Sequence, residues 1–196
     1  ANVRNGNYDK AEALLRACPP QFRNYEWDRL RLICKVDSRI FMGHRLGLDS
    51  VAFSPSGKTI ATCGGDGMVK IWNVATGRVL RTMKCEHKTR VRSVAFSPDG
   101  RQLLTGNADS VARLWDMESG RVVRLFKGHT GPVTSAVFSP DNKRVLTGST
   151  DGTVKLWELA TGKEVRTFRV PGGNIYSTVF SPTGDRILAA GGKPGV

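Results

Sequence analysis

Four copies of one short phrase constrain this chain more than any other feature. They are Val51-Ala52-Phe53-Ser54-Pro55, Val94-Ala95-Phe96-Ser97-Pro98, Val137-Phe138-Ser139-Pro140 and Val179-Phe180-Ser181-Pro182, and their phenylalanines stand 43, 42 and 42 residues apart. A unit repeated at that interval cannot bury its apolar face alone and must stack on its neighbours. The question therefore moves from a single catalytic cleft toward a repeating scaffold.

Each unit reads apolar strand, Ser-Pro turn, apolar strand, Gly-Asp turn, a strand ending on Trp, a polar turn and a basic outer strand. The first turns are Pro55-Ser56-Gly57, Pro98-Asp99-Gly100, Pro140-Asp141-Asn142 and Pro182-Thr183-Gly184. Proline presets the first corner, and Gly or Asn accepts the positive φ that follows. The later turns are Ala75-Thr76-Gly77, Glu118-Ser119-Gly120 and Ala160-Thr161-Gly162. A period of roughly 40–45 residues that closes on a Trp-acid pair marks four-stranded propeller blades. The expected fold class is all-β: a partial β-propeller over 36–196, with three full four-stranded blades plus part of a fourth, and a short α-helical N-terminal lead-in over 1–35. The repeats fall at about 43–85, 86–127, 128–169 and 170–196.

In the lead-in, Ala11, Leu14, Leu15 and Cys18 recur at i, i+3, i+4 and i+7, which predicts a helix over Asn7–Cys18 ended by Pro19-Pro20. A second helix is expected from about Asn24 to Cys34, with Glu26 and Asp28 near its start and Arg29, Arg31 and Lys35 toward its end. The lead-in is expected to pack against the propeller. The segment Arg39-Ile40-Phe41-Met42-Gly43-His44 matches the outer strand Val123 to His129, so the propeller opens on a strand with no earlier strands of its own. The fourth repeat stops at Val196, inside its third strand. The chain opens at Ala1 with no basic-then-apolar leader in view, and the expectation is an internal piece of a longer chain. No apolar run is long enough to span a membrane.

The net charge of +13 favours a nucleic acid, an acidic partner or an anionic surface. Its distribution tempers that inference, because the bases recur in register: Arg78, Arg121 and Lys163; Arg81, Arg124 and Arg166; Lys84, Lys127 and Arg169. The expected role of these rows is a solvated outer edge that discourages strand-to-strand pairing. Cys18, Cys34, Cys63 and Cys85 show no CxxC spacing, which argues against zinc and for free thiols in a reducing compartment. A cytoplasmic location is expected, with a membrane tether through preceding chain as the alternative.

One constellation imitates chemistry. A His, a Thr, an Asp and the Trp recur at matched offsets: His44, Thr62, Asp66 and Trp72; His87, Thr105, Asp109 and Trp115; His129, Thr147, Asp151 and Trp157. Hydroxyl, imidazole and carboxylate invite assignment as nucleophile, base and orienter. Catalysis needs one assembled copy in a cleft, not three at blade spacing, so no catalytic, cofactor or metal residue is assigned. The Gly191-Gly192-Lys193-Pro194-Gly195 stretch lacks the spacing and following helix of a phosphate loop.

The pairs Trp72-Asn73, Trp115-Asp116 and Trp157-Glu158, with Gly43-His44, Glu86-His87 and Gly128-His129 opening the same units, resemble the WD-repeat family over about residues 36–196. The resemblance implies that each set is a structural tetrad in which Asp orients His, His meets Thr, and Thr reaches the indole N–H. In the fourth repeat Pro171, Ala189 and Lys193 stand where His, Thr and Asp belong, so that blade is expected to be held by packing alone. The family commonly docks partners on the face carrying the His and Asp loops, here 45–49, 88–92 and 130–134. Arg45, Lys88, Arg90, Arg92 and Thr130 are the candidate partner-binding residues. The second loop also carries an extra residue within Lys84-Cys85-Glu86, and its charge favours an acidic or phosphorylated peptide.

The segment from Ala11 to Pro19, followed by Tyr25-Glu26-Trp27-Asp28-Arg29-Leu30, resembles the lead-in of bacterial WD-repeat proteins in which a serine/threonine kinase domain commonly comes first. The resulting expectation is a non-catalytic protein–protein interaction scaffold, a fragment of a larger bacterial signalling protein. The alternative is a nucleic-acid-associated basic propeller. An enzyme supported on a propeller ranks last.

Overall fold

The computed structural model of the chain describes residues 13–22, 41–85, 89–171 and 173–192. The chain divides into two units, Ala1–Ile40 and Phe41–Val196. In the first, residues 13–16 form a short helical turn, with the Ala17 N–H donating to the Ala13 carbonyl at 3.1 Å. A tighter turn covers Pro20–Phe22. Pro19 and Pro20 have no amide hydrogen to continue the ladder, which accounts for the stop. The start of the first expected helix and all of the second lie outside the described residues.

In the second unit the sequence repeat becomes a repeat of sheets. Strands β1 (Leu48–Phe53), β2 (Thr59–Gly64), β3 (Met68–Asn73) and β4 (Val79–Lys84) form the first antiparallel sheet in chain order. The second comprises β5 (Val91–Phe96), β6 (Gln102–Asn107), β7 (Val111–Asp116) and β8 (Val122–Lys127). The third comprises β9 (Val133–Phe138), β10 (Arg144–Ser149), β11 (Thr153–Glu158) and β12 (Glu164–Arg169). The fourth has two described strands, β13 (Asn174–Phe180) and β14 (Ile187–Gly192). The Ser-Pro turns join first strand to second, and Gly57, Gly100, Asn142 and Gly184 take φ between 55° and 75° there. A left-handed residue at this point lets the chain reverse within the turn.

The phrase lies on the innermost strand of each sheet, and its alternation decides which neighbour each side chain meets. Val94 and Ala136 are buried against the preceding sheet, and Phe180 is 9% exposed. The matching Val51 and Phe53, on the first sheet, are 62% and 66% exposed. On the opposite side of the fourth sheet Val179 and Leu188 are 50% and 69% exposed. The same residues are therefore core or surface according to whether a neighbouring sheet covers them.

A second periodic signal sits three residues before each phenylalanine: Ser50, Ser93, Ser135 and Ser177. Ser50 Oγ accepts the Val94 N–H at 3.3 Å, Ser93 Oγ accepts the Ala136 N–H at 3.1 Å, and Ser135 Oγ accepts the Thr178 N–H at 3.0 Å. Each inner strand thus hydrogen-bonds to the next, which gives every sheet-to-sheet junction a polar pin beside its apolar packing.

This pin revises the expectation for the fourth repeat, which is held by more than packing. Besides the Ser135 bond to its backbone, Thr178 Oγ1 lies 3.0 Å from Ser135 Oγ, and Thr134 Oγ1 donates to the Ile175 carbonyl at 2.5 Å. Gly148 brings the two sheets close, because a Cβ there would stand 2.7 Å from Ile175 Cγ2 and 2.8 Å from Thr178 Cγ2. The basic row on the outer strands also does more than face water. Arg81 Nη2 donates to the Glu118 carbonyl of the next sheet at 3.0 Å, and the Arg166 guanidinium lies 5.0 Å from the Phe168 ring centroid.

Candidate functional site

The His, Thr, Asp and Trp residues converge at one end of the first and third sheets. In the first, His44 Nδ1 lies 3.0 Å from both Asp66 carboxylate oxygens, His44 Nε2 lies 2.8 Å from Thr62 Oγ1, and Trp72 Nε1 donates to Thr62 Oγ1 at 2.7 Å. In the third, the corresponding distances are 2.9 Å from His129 to Asp151, 2.7 Å from His129 to Thr147 and 2.8 Å from Trp157 to Thr147. A carboxylate only accepts, so Nδ1 carries the imidazole proton. Nε2 then accepts from the Thr hydroxyl, whose oxygen accepts the indole N–H. Every group in the chain is satisfied in one direction.

The Gly-His dipeptide has a steric origin. A Cβ on Gly43 would stand 2.9 Å from Trp72 Cη2, and one on Gly128 would stand 3.2 Å from Trp157 Cη2. Gly128 also takes φ 153°, a region side chains avoid. In the first and third sheets the backbone before the histidine thus runs so near the Trp rim that a side chain there would be crowded. Phe41 and Phe126 cover the same indoles, with ring centroids 5.7 Å from Trp72 and Trp157.

The second sheet is wired differently. Trp115 Nε1 donates to Thr105 Oγ1 at 3.0 Å, as in the other sheets. Asp109 receives a two-pronged ion pair from Arg113, at 2.9 and 2.5 Å, and the Arg113 side chain is almost wholly buried. Asn107 Nδ2 reaches Thr105 Oγ1 at 3.3 Å and the Val111 carbonyl at 2.9 Å. Cys85 donates its thiol hydrogen to Asn107 Oδ1 at 3.4 Å. His87 and Lys88 lie outside the described residues. The matched offsets pair Asp109 with His87 and give no sign of Arg113, because Lys70 and Lys155 hold the corresponding positions. Lys155 bonds elsewhere, to Glu164 and Thr167.

The electrostatics follow from these bonds. Burial pushes the Asp151 carboxyl up, but hydrogen bonds from Thr153, the Thr130 backbone and His129 outweigh it and hold the group at about 2. Asp66 is likewise held below its ordinary range, burial opposing and His44 with the Arg45 and Met68 amides prevailing. For Asp109 the opposing burial is overcome by Arg113. Burial lowers the His129 pKa against the pull of Asp151, which keeps the ring neutral near pH 7. Thr62 and Thr147 are buried with both sides of their hydroxyls engaged, so neither is poised as a nucleophile.

The candidate partner-binding residues separate into two groups. Arg45 and Thr130 are exposed, and their backbone amides donate to Asp66 at 3.2 Å and Asp151 at 2.9 Å. The tetrad carboxylates thereby fix the loop backbone while the side chains stay in solvent. Arg90 instead spends its charge on Asp49 of the first sheet, at 2.7 and 2.5 Å. Arg92 is half-buried, with its Nε enclosed.

The family model for the WD domain, G-beta repeat, matches residues 36–73, 77–116 and 120–158. Over 53 residues the chain is 45% identical to a periodic tryptophan protein 2 homolog of Dictyostelium discoideum, a stretch covering 27% of this chain and 5% of that protein. Over 57 residues it is 40% identical to ribosome biogenesis protein ERB1 of Chaetomium thermophilum, covering 29% and 7% respectively. The chain thus spans a small fraction of these relatives' length. Among solved structures, the WD40 β-propeller domain of Doa1 superposes with a TM-score of 0.69 at 23% identity, covering 76% of this chain and 49% of that one. The RRP9 WD40 repeats superpose with a TM-score of 0.68 at 24% identity, covering 71% and 44%. At these identities the structural likeness speaks of fold alone.

Proposed function

The chain belongs to the WD40 repeat family, and from that premise we propose that it is a non-catalytic scaffold that docks protein segments on the loops above its tetrads. The observation that carries this reading is the pair of bonds from the Arg45 and Thr130 amides to Asp66 and Asp151. A loop whose backbone is already fixed loses little freedom on binding, and its exposed side chains are free to contact a partner. The favoured partner is an acidic or phosphorylated peptide, since Arg45 is the exposed cation of that pair. Repetition supports a structural role for the tetrads, because a reaction centre has no use for the same locked hydroxyl on two sheets.

Fluorescence anisotropy with a panel of acidic and phosphothreonine peptides tests the proposal. Binding is expected to weaken about tenfold in Arg45→Glu, while the thermal melt is unchanged. Binding that ignores this substitution, or a complete failure of the panel to bind, would overturn it.

A second reading, an RNA-associated propeller, is supported by the net charge of +13 and by the words ribosome biogenesis in a relative's name. Titration with single-stranded RNA distinguishes the two: affinity that falls log-linearly with salt supports RNA binding, and no binding at low salt removes it. The kinase-linked bacterial context rests on the lead-in resemblance alone, and nothing in the comparisons points to a kinase or to a bacterial source. No described helix is long and apolar enough to cross a membrane.

A further inference from the structure

The first two of the proposed docking loops, 45–49 and 88–92, are tied together by an ion pair that the repeat does not require. Arg90, in the second loop, donates from Nε and Nη2 to the carboxylate of Asp49, which ends the first loop on β1, at 2.7 and 2.5 Å. Asp49 is the extra residue of a β-bulge: Leu48 pairs with Gly64 and Ser50 with Cys63, which leaves it unmatched between them. A bulge turns its side chain out of the strand's alternation, here toward the neighbouring sheet. Arg92, Thr134 and Tyr176 take the same place in the other inner strands, so only the first carries an acid there.

The pair is not what joins the first two sheets. That junction already has the Ser50 bond to the Val94 amide and the packing of Ala52 into the apolar cluster around Val94. The two later junctions form with the uncharged Pro132 and Asn174 at the places matching Arg90. Nor does the pair fix its loop. Ala108 donates its amide to the Arg90 carbonyl at 2.9 Å, as Gly65 does to Gly47 and Thr150 to Pro132, both at 3.0 Å. The Arg90 backbone is therefore anchored independently of its side chain.

The Arg90 side chain is 50% exposed and that of Asp49 16%, so the cation is the more open member of the pair. An ion pair this accessible to water contributes little to stability. Its two bonds occupy one edge of a guanidinium fork, the geometry that also suits a peptide carboxylate or a phosphate. Building on the loop-docking reading, we propose that Asp49 is an internal stand-in for the partner's anionic group. In the unbound chain it occupies the Arg90 fork and holds docking affinity down. On docking, the peptide's own anionic group takes its place. One anion is exchanged for another, and the backbone of neither loop has to move.

Binding of one phosphothreonine peptide and of its unphosphorylated counterpart to the whole chain tests this. Asp49→Asn removes the competing charge and keeps the shape, so it should tighten the phosphopeptide about fivefold and leave the counterpart unchanged. Adding Arg90→Gln to that variant should remove the gain. In the unmodified chain the Arg90 Nε–H NMR signal should move when the phosphopeptide saturates it, a readout that needs no substitution. Unchanged or weaker binding by Asp49→Asn, a gain that survives Arg90→Gln, or an Arg90 signal that stays still at saturation would overturn the proposal. Phosphopeptide binding that depends on Arg45 yet ignores Asp49 would overturn it and leave loop docking intact, whereas no binding by either chain removes both.

Discussion

At the residue scale the threonine is the junction of each tetrad. Thr147 Oγ1 receives the Trp157 N–H and meets His129 Nε2, and no solvent reaches it. Thr147→Val keeps the shape and strands both partners, so urea unfolding should show a loss of about 2–4 kcal/mol. In the second sheet, Thr105→Val strands Trp115 but leaves Asn107 Nδ2 its bond to the Val111 carbonyl and the Arg113–Asp109 pair intact. It should cost less, about 1–2 kcal/mol. Acid should reveal the same wiring. The folded His129 pKa lies below its ordinary 6.5, so an unfolded chain takes the proton first. That stability is complete above about 6.5 and declines as pH falls toward the folded pKa. Asp151, ordinarily 3.8 and held at about 2, adds a second loss as pH falls from about 4 to about 2. Denaturant midpoints measured from pH 7.5 to 3 should therefore fall in two stages, and His129→Asn should flatten the first. A single stage near pH 4 in the parent chain would contradict this assignment.

At the scale of elements, the junctions between inner strands set the stability of each neighbouring pair of sheets. Gly148→Ala forces a methyl to within 2.7 Å of Ile175, and neither inner strand can retreat without breaking the Ser135–Thr178 pin. Differential scanning calorimetry should register a loss of about 1–3 kcal/mol. Conversely, Gly162→Ala meets the Arg124 stem together with a positive φ, so its cost should show backbone strain as well as crowding. Much of this element level was legible in the sequence. The four phrases, the Pro-x-Gly turns and the terminal Trp place the strands, because period and turn chemistry are local properties. The Gly-His pairs are plain in the sequence as part of the family resemblance, but their steric cause, an indole against the glycine, shows only in the structure. The serine row is equally periodic but carries no distinctive signal, since a small polar residue beside an apolar run looks like ordinary strand alternation. Arg113 was not legible at all. Its partner depends on which way a long side chain turns from a position where two sister repeats carry lysine.

At the scale of the whole molecule, one set of exposed apolar residues lies where stacking ends among the described sheets, apart from those on the outer strands such as Val123 and Val165. Val51 and Phe53 on the first sheet face away from the second, and Tyr176, Val179 and Leu188 on the fourth face away from the third. The same faces elsewhere are core: Ala52 packs into the cluster around Val94, and Val137 packs beside Ile175. Ser177, last in the serine row, is exposed on this side of the fourth sheet and matches the hydroxyls that accept the next strand's amide. Together these faces present an apolar, pin-ready surface at each end of the stack, and such surface associates unless something covers it. The 196-residue chain studied alone should therefore sediment as a concentration-dependent mixture. Replacing Phe53 and Leu188 with Glu should move that mixture toward monomer, with little loss of secondary structure, because neither side chain contributes to the packed core. Sedimentation velocity over a hundredfold range of concentration measures this directly. A parent chain that stays monomeric throughout would contradict the association expected of these faces.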